Sequence, residues 1–372
     1  MITEIKDIDV KLLSEVYDRE NRDAFISLYI NFDSNYKDFI RKRLDACKLV
    51  LRNDKDLVEN LEKSIEKAYR FLKTRENNQK GAIVFVSDIN SFFRGYKVDL
   101  NIGNLFVVDT SPYLKPVVEL LDDYEDFGLV ILDNHRAKIY VVSGDRVKKS
   151  KKISEDVLNR HKKGGWSQAR FQRIRKGEIK HFLKDVSSYV SKLFSESNIS
   201  KIIIGGPGNA KSWFVEYLPK DVENKVVDVV DMDFDGKDAV SDAEYLVMER
   251  DEEEKLQEVD RLKGEILRDG LAVYGLKDVI DAVRNGKVEL LLVNRGLRVK
   301  GWICEKCQVV EPGFKEKCPY CGSMTSEVDV IEEIVEFAER TDAKIEFLDD
   351  NNTLKELGGI GGFLRSFKYT RI

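Results

Sequence analysis

Four cysteines between positions 304 and 321 constrain the folding of this chain more tightly than any other feature. Cys304-Glu-Lys-Cys307 and Cys318-Pro-Tyr-Cys321-Gly322 are two C-x2-C pairs separated by ten residues. Each pair bends two thiolates onto one point, and two such knuckles complete a tetrahedral S4 shell. The spacing predicts a structural zinc site at Cys304, Cys307, Cys318 and Cys321, with an iron site or a set of free thiols as the alternatives. A closed shell of four ligands leaves no open position, which argues against catalysis at this metal. The ion would fold an excursion too small to build a core of its own. A cytosolic setting argues against two disulfides, and the rest of the sequence agrees with that setting. No apolar run approaches the ~20 residues a transmembrane helix needs, and Met1 to Asp9 has no signal-peptide layout. The expectation is a cytoplasmic protein with no membrane partner. Cys47 stands alone on a predicted helix as a bystander.

A chain of 372 residues is expected to hold about two or three domains. Taken in order, Ala24 to Phe32 reads as a buried strand, and Tyr36 to Arg52 with Asp54 to Arg75 as a charged helical hairpin. Strands follow at Gly81 to Ser87, Arg94 to Leu100 and Asn104 to Val108, punctuated by Gly95 and Gly103, then a brief helix from Leu114 to Leu121. The acidic stretch Asp122 to Asp126 marks the first boundary. A strand meander opens the next segment, with Gly128 to Leu132, Ala137 to Val142 and Arg146 to Ile153 joined by turn dipeptides. A long helix, a parallel-type strand at Lys201 to Ile204, a helix from Asn209 to Tyr217 and a strand at Lys225 to Val230 complete it. A meander followed by strand–helix–strand predicts an α/β domain with a mixed sheet. Seventeen acidic residues against five basic ones between Glu216 and Asp260 accompany a long predicted helix from about Ala239 to Leu267, a solvated connector. Beyond Asp269, helices at Gly275 to Val283 and Val330 to Arg340 alternate with strands at Val288 to Val293 and Lys344 to Leu348, followed by a short helix near Leu354 and a strand at about Gly361 to Phe367.

The stretch from Arg160 to Phe171 carries the functional signal. Arg160, His161, Lys162 and Lys163 run into Gly164-Gly165, then Trp166, Ser167 and Gln168. Two adjacent glycines let backbone pass close to a bulky partner, and Ser167 is suited to cap the helix that follows. Apolar residues at Phe171, Ile174, Phe182, Val186, Tyr189, Val190 and Leu193 have helical spacing, while Arg170, Arg173, Arg175, Lys176, Lys180 and Lys184 lie mostly off that face. Between Arg146 and Lys184 there are fourteen Lys/Arg against three Asp/Glu, in a chain of net charge −5. So local a basic excess points to a polyanion partner for this face alone; the plain alternative is a solvated loop leading into an amphipathic helix.

Three separated stretches share one resemblance. His161 to Arg175 resembles the GGQ loop and following helix of the class-1 peptide release factors of archaea and eukaryotes. Tyr274 to Val283 with Gly286 to Val293 is similar to the start of their third domain, and Gly358-Gly-Ile-Gly-Gly-Phe-Leu-Arg365 to their C-terminal strand. The resemblance implies three domains: an α/β N-terminal domain (1–124), a ribonuclease-H-like middle domain with the glycine loop (125–241), and a Pelota-type α/β sandwich (242–372). The last would include a linker helix (about 242–268) and an inserted zinc ribbon (304–321). Two departures stand out. Trp166 occupies the release-factor glutamine position, with Gln168 two residues on, a tip similar to the Vms/Ankzf-type peptidyl-tRNA hydrolases of ribosome quality control. No NIKS-type loop or YxCxxxF pattern for stop-codon reading is present.

The resemblance implies a ribosome-associated peptidyl-tRNA hydrolase. Gly164, Gly165, Trp166 and Gln168 would act at the ester. Arg160, His161, Lys162, Lys163, Arg170, Arg173, Arg175 and Lys176 would meet rRNA and tRNA phosphates. A translational GTPase or a ribosome-splitting ATPase would be the partner of the C-terminal domain. The competing readings are a non-catalytic rescue or hibernation factor and a true termination factor. A nuclease is disfavoured, because Asp133 has no convincing second carboxylate for a two-metal site.

Overall fold

The computed structural model describes residues 5–75, 79–123, 126–143, 146–154, 168–236 and 238–366, with backbone only at 146 and 168–175. Along the chain the elements are α1 (Val10–Ser14), β1 (Phe25–Asn31), α2 (Tyr36–Leu51), α3 (Lys55–Leu72), β2 (Gly81–Ser87), β3 (Phe92–Val98), β4 (Leu105–Asp109) and α4 (Lys115–Asp123). Then come β5 (Asp126–Leu132), β6 (Arg136–Ser143), β7 (Arg146–Ser154), α5 (Gln168–Glu196), β8 (Lys201–Gly205), α6 (Ala210–Val215), α7 (Lys220–Glu223), β9 (Val226–Val230) and α8 (Ala239–Leu267). The last stretch holds β10 (Ala272–Tyr274), α9 (Leu276–Arg284), β11 (Val288–Asn294), β12 (Lys300–Cys304), β13 (Val309–Pro312), β14 (Ser326–Asp329), α10 (Val330–Arg340), β15 (Lys344–Leu348), α11 (Asn352–Glu356) and β16 (Ile360–Leu364). The fold is mixed α/β, as expected, in four sheets. None of the described helices is long and apolar enough to cross a membrane.

The chain divides into two compact units, residues 124–257 and the remainder. The 124–257 unit is built on a five-stranded sheet in the order β7-β6-β5-β8-β9. The β5–β6–β7 meander is antiparallel, and β8 is parallel to both β5 and β9. That order and sense are those of a ribonuclease-H-like sheet. Its two faces carry separate cores. One packs Phe182, Val186, Val190 and Phe194 of α5 and Phe214 of α6 on Val130, Ile139 and Ile204. The other packs Ala239, Ala243 and Val247 of α8 on Leu129, Ile131 and Ile203.

The second unit holds three sheets, β3-β2-β1-β4, β10-β16-β11-β15 and β13-β12-β14. Gly95, read as punctuation at the start of a strand from Arg94 to Leu100, lies in the middle of β3. A Cβ there would approach the Phe71 ring to 2.9 Å, so this glycine makes room for α3 and does not end a strand. Helix α10 ties the early and late segments of this unit together. Arg340 at its end hydrogen-bonds the Ser14 carbonyl and pairs with Glu336 at 2.8 Å. Glu336 also accepts from Ser111 Oγ at 3.0 Å. At the other end, Glu332 accepts the backbone N–H groups of Leu114 and Lys115, placing a carboxylate at the start of α4, where the helix dipole favours it.

Burial pushes the carboxyls of Glu332, Glu333 and Glu336 well above the ordinary glutamate range, and the neighbouring carboxylates push in the same direction. Folding therefore takes up protons above pH ~4.3, the ordinary glutamate pKa. The stability of this unit rises as pH falls from 8 towards 5. Glu333→Gln removes one such charge; it is expected to raise the thermal midpoint by a few degrees at pH 8, with the gain vanishing near pH 4. Melting curves of both proteins across that pH range test it, and an equal shift at every pH would contradict it.

Candidate functional site

Helix α5 follows the glycine loop in the chain. Strand β7 ends at Ser154 and α5 begins at Gln168, so both ends of the intervening segment are carried by one sheet and the helix packed on it. The seat of α5 depends on a residue that is missing a side chain. A Cβ on Gly128 of β5 would meet the Phe194 ring at 2.5 Å, and Phe194 is 1% exposed. Ser187 Oγ donates to the Tyr217 carbonyl at 2.8 Å and fixes the helix to the end of α6. Gly164, Gly165, Trp166, Ser167, Arg160, His161, Lys162 and Lys163 lie outside the described residues. Gln168, Arg170, Arg173 and Arg175 lie on the first turns of α5, and Lys176 is exposed on the next.

The cysteine knuckles sit on the small sheet. β12 delivers Cys304, and the turn after it returns Cys307 with Gln308 at φ 51° and Gln308 N–H donating to the Cys304 carbonyl at 2.7 Å. Gly322, at φ 75°, closes the second knuckle by donating to the Cys318 carbonyl at 2.9 Å. Four of the six sulfur pairs stand 3.2 to 3.5 Å apart, and all lie within 4.8 Å. This is far beyond a disulfide bond of ~2.05 Å. It is close to the ~3.8 Å edges that follow from metal–sulfur bonds of ~2.3 Å in a tetrahedron. Burial and the surrounding sulfurs push the Cys307 thiol up, while hydrogen bonds from Ser323 bring Cys321 down to about 6. Trp302, 1% exposed, closes the apolar side of the cluster with Val309. Among the described residues this is the one group of three or more His, Cys, Asp or Glu side chains within reach of a single ion.

Residues 112–249 match a family model described as bacterial archaeo-eukaryotic release factor family 10, and residues 252–369 match eRF1 domain 3. Peptide chain release factor subunit 1 of Methanosphaera stadtmanae is 27% identical, covering 95% of this chain and 96% of that protein. The Archaeoglobus fulgidus protein of the same name is 32% identical over 69% of each. The chain belongs to the archaeal and eukaryotic class-1 release factor superfamily. Among solved structures, an archaeal translation termination factor is 21% identical, covering 96% of both chains with a TM-score of 0.28. Archaeoglobus fulgidus Pelota is 16% identical, covering 77% of this chain and 79% of that one with a TM-score of 0.36. Superpositions this loose decide nothing; the sequence relation does.

In this member of the release factor superfamily the nuclease alternative has no geometric basis at Asp133. Its Oδ1 accepts the N–H groups of His135 and Arg136 at 2.8 Å, and its Oδ2 accepts Arg136 Nε at 2.9 Å. These bonds outweigh burial and hold the carboxyl below its ordinary range. His181 is exposed on α5 and 3.5 Å from Asp185. Sequence reasoning missed Trp213, which is 43% exposed on α6. No periodicity signals that a tryptophan on so short a helix stays in solvent.

Two outcomes follow from this geometry. Elemental analysis of the purified protein is expected to return one metal ion per chain, and Cys318→Ser to lose it with a drop of at least several degrees in thermal midpoint. Gly128→Val is expected to destabilise the 124–257 unit by about 2 kcal/mol, the cost of overpacking, read by denaturant titration.

Proposed function

We propose that this protein is a ribosome-associated peptidyl-tRNA hydrolase that frees nascent chains from stalled ribosomes or large subunits without reading a stop codon. The observation that carries this is the pairing of Gly164-Gly165 with Gln168, the first residue of α5, in a member of the release factor superfamily. In the reaction, water attacks the ester carbonyl joining peptide to tRNA. The carbon–oxygen bond to the tRNA breaks, the 3′-oxygen leaves and takes up a proton, and the peptide departs as a carboxylic acid. The Gly164 and Gly165 N–H groups supply oriented dipoles for the developing oxyanion. Gln168 holds the water, since an uncharged amide both donates and accepts. Placement alone accounts for a large part of such a rate, so no protein base is invoked. Arg160, His161, Lys162, Lys163, Arg170, Arg173, Arg175 and Lys176 neutralise rRNA and tRNA phosphates. Trp166 stacks on a base or folds back on its helix.

The helical hairpin supports independence from stop codons. Its tip is only Arg52-Asn53-Asp54, and Asp54 is committed to capping α3 through the Leu57 N–H at 3.0 Å. The cysteine set holds zinc in this proposal, and the ion is structural because all four positions are filled by protein. We keep the division of labour in three parts, 1–124, 125–241 and 242–372. The last offers a surface to a translational GTPase or a ribosome-splitting ATPase, and the whole works in the cytoplasm.

A second reading has one residue in its favour. Trp166 stands where the superfamily carries its loop glutamine, as fits a ribosome-binding rescue or hibernation factor without hydrolysis. The shared name of the relatives keeps true termination as a third reading. Stalled ribosome complexes bearing labelled peptidyl-tRNA separate these. Wild type is expected to release peptide with no stop codon in the A site, and Gln168→Ala and Gly165→Ala to lose about 10²-fold or more of the rate. Binding without release would leave the non-catalytic reading, and release only at stop codons the termination reading.

A further inference from the structure

Lys176, Lys180 and Lys184 recur every fourth residue along α5 and are all exposed. Like charges at this spacing oppose helix formation. Among the described residues, the ion pairs of α5, His181 with Asp185 at 3.5 Å and Lys192 with Glu196 at 4.0 Å, leave this row out. A row of cations at steps of ~6 Å along a helix, unbalanced in a chain of net charge −5, is matched by a polyanion.

The chain topology places Trp213 on the same face of the sheet as this row. Lys180, Lys184 and Ser187 share one edge of α5 at i, i+4 and i+7, and Ser187 is the residue bonded to the Tyr217 carbonyl. Trp213 is four residues before Tyr217. Helix α5 joins β7 to β8, and α6 with α7 joins β8 to β9; all three strands run the same way. Both helices therefore return antiparallel to the strands, and from the Ser187–Tyr217 bond Lys184, Lys180 and Trp213 lead off in the same direction. The other flank of α6 is occupied by Lys211, which bonds Asp231 and the Gly208 carbonyl at 2.6 Å each.

We propose that Lys180, Lys184 and Trp213, continued by Lys176, form a surface for unpaired RNA, with the lysines on successive phosphates and the indole stacked on a base. Lysine meets phosphate as a point charge, and an exposed indole is a sequence-tolerant platform for a base. The surface takes its RNA partner from the function proposed above but needs none of its chemistry.

The test measures binding of the full-length protein to a short fluorescein-labelled oligouridine by anisotropy through a salt titration. Lys180→Gln combined with Lys184→Gln is expected to weaken binding and to flatten the log–log salt slope by about 1.4, two phosphates at ~0.7 each. Trp213→Leu is expected to weaken binding about tenfold with the slope unchanged. Lys192→Gln, which removes a cation from α5 outside the row, keeps wild-type affinity, and circular dichroism confirms that each variant is folded. Wild-type affinity and slope in the double-lysine variant overturn the proposal. So does displacement of the RNA by polyaspartate as readily as by unlabelled RNA. Gln168→Ala separates the two ideas: loss of peptide release with RNA affinity retained supports both. If wild type releases no peptide and the lysine and tryptophan variants still lose RNA, the surface stands and the hydrolase reading falls.

Discussion

The absent side chain at Gly128 decides where α5 lies. β5 is the central strand of its sheet, and Phe194 fills the space that any larger residue on that strand would claim. With the helix seated, Val186, Val190 and Phe182 fall into line over Val130 and Ile139, because helical residues three and four apart share a face. Gln168 is the first residue of the same helix. A reactive group mounted on a packed element is held more precisely than one carried by loop alone. The close packing at Gly128 and Phe194 is thus the remote support of whatever the amide does.

The other unit solves a different problem. Its first and last segments are distant in the chain, and the seam between them is polar where a core would ordinarily be apolar. Glu332 meets two backbone N–H groups at the start of α4, Glu336 meets Ser111 and Arg340, and Glu305 meets Thr110 Oγ1 at 2.7 Å. Burying carboxylates costs stability unless each finds donors. Each of these three does, and directional bonds of this kind distinguish the native docking from a slipped one, which greasy contacts do less well. Glu333 is buried in the same seam with its carboxyl raised by burial and by Glu336, so the seam is a compromise between specificity and charge crowding.

Local pattern made most elements legible. The long acidic helix was readable from Ala239 to Leu267, and α10 from Val330 to Arg340, because composition and spacing alone specify them. The knuckles were readable because chemistry restricts what two C-x2-C pairs do. Short pieces such as α7, β10, β13 and β14 were not, since four residues hold too little periodicity to separate strand from turn. Gly95 shows a different gap: a glycine inside a strand has the same letter as one that ends it, and only the Phe71 ring above it tells them apart. The α10 seam was illegible for the same reason. Glutamates at 332, 333 and 336 look like the solvated face of a helix until the partner segment is present. Of the candidate site, the glycine loop is read from its motif alone, while Trp213 needed its neighbours to become meaningful.

The displacement of glutamine from the loop to the first residue of α5 changes what holds the amide in place. A glutamine directly after two glycines has a backbone with wide freedom, and its side chain must be ordered by the partner cavity. A residue on a helix has one backbone conformation and a restricted χ1, since one of the three staggered rotamers clashes with the preceding turn. Less conformational entropy then remains to be lost when the amide meets its water. The cost is reach: a helical residue cannot enter a cavity further than the helix end allows, and the loop ahead of it must make up the distance. Under the proposed function, Trp166 and the diglycine step would take the contact with RNA, and Gln168 the contact with water. Binding and chemistry, carried by one residue type in a GGQ tip, are on this argument divided between two positions.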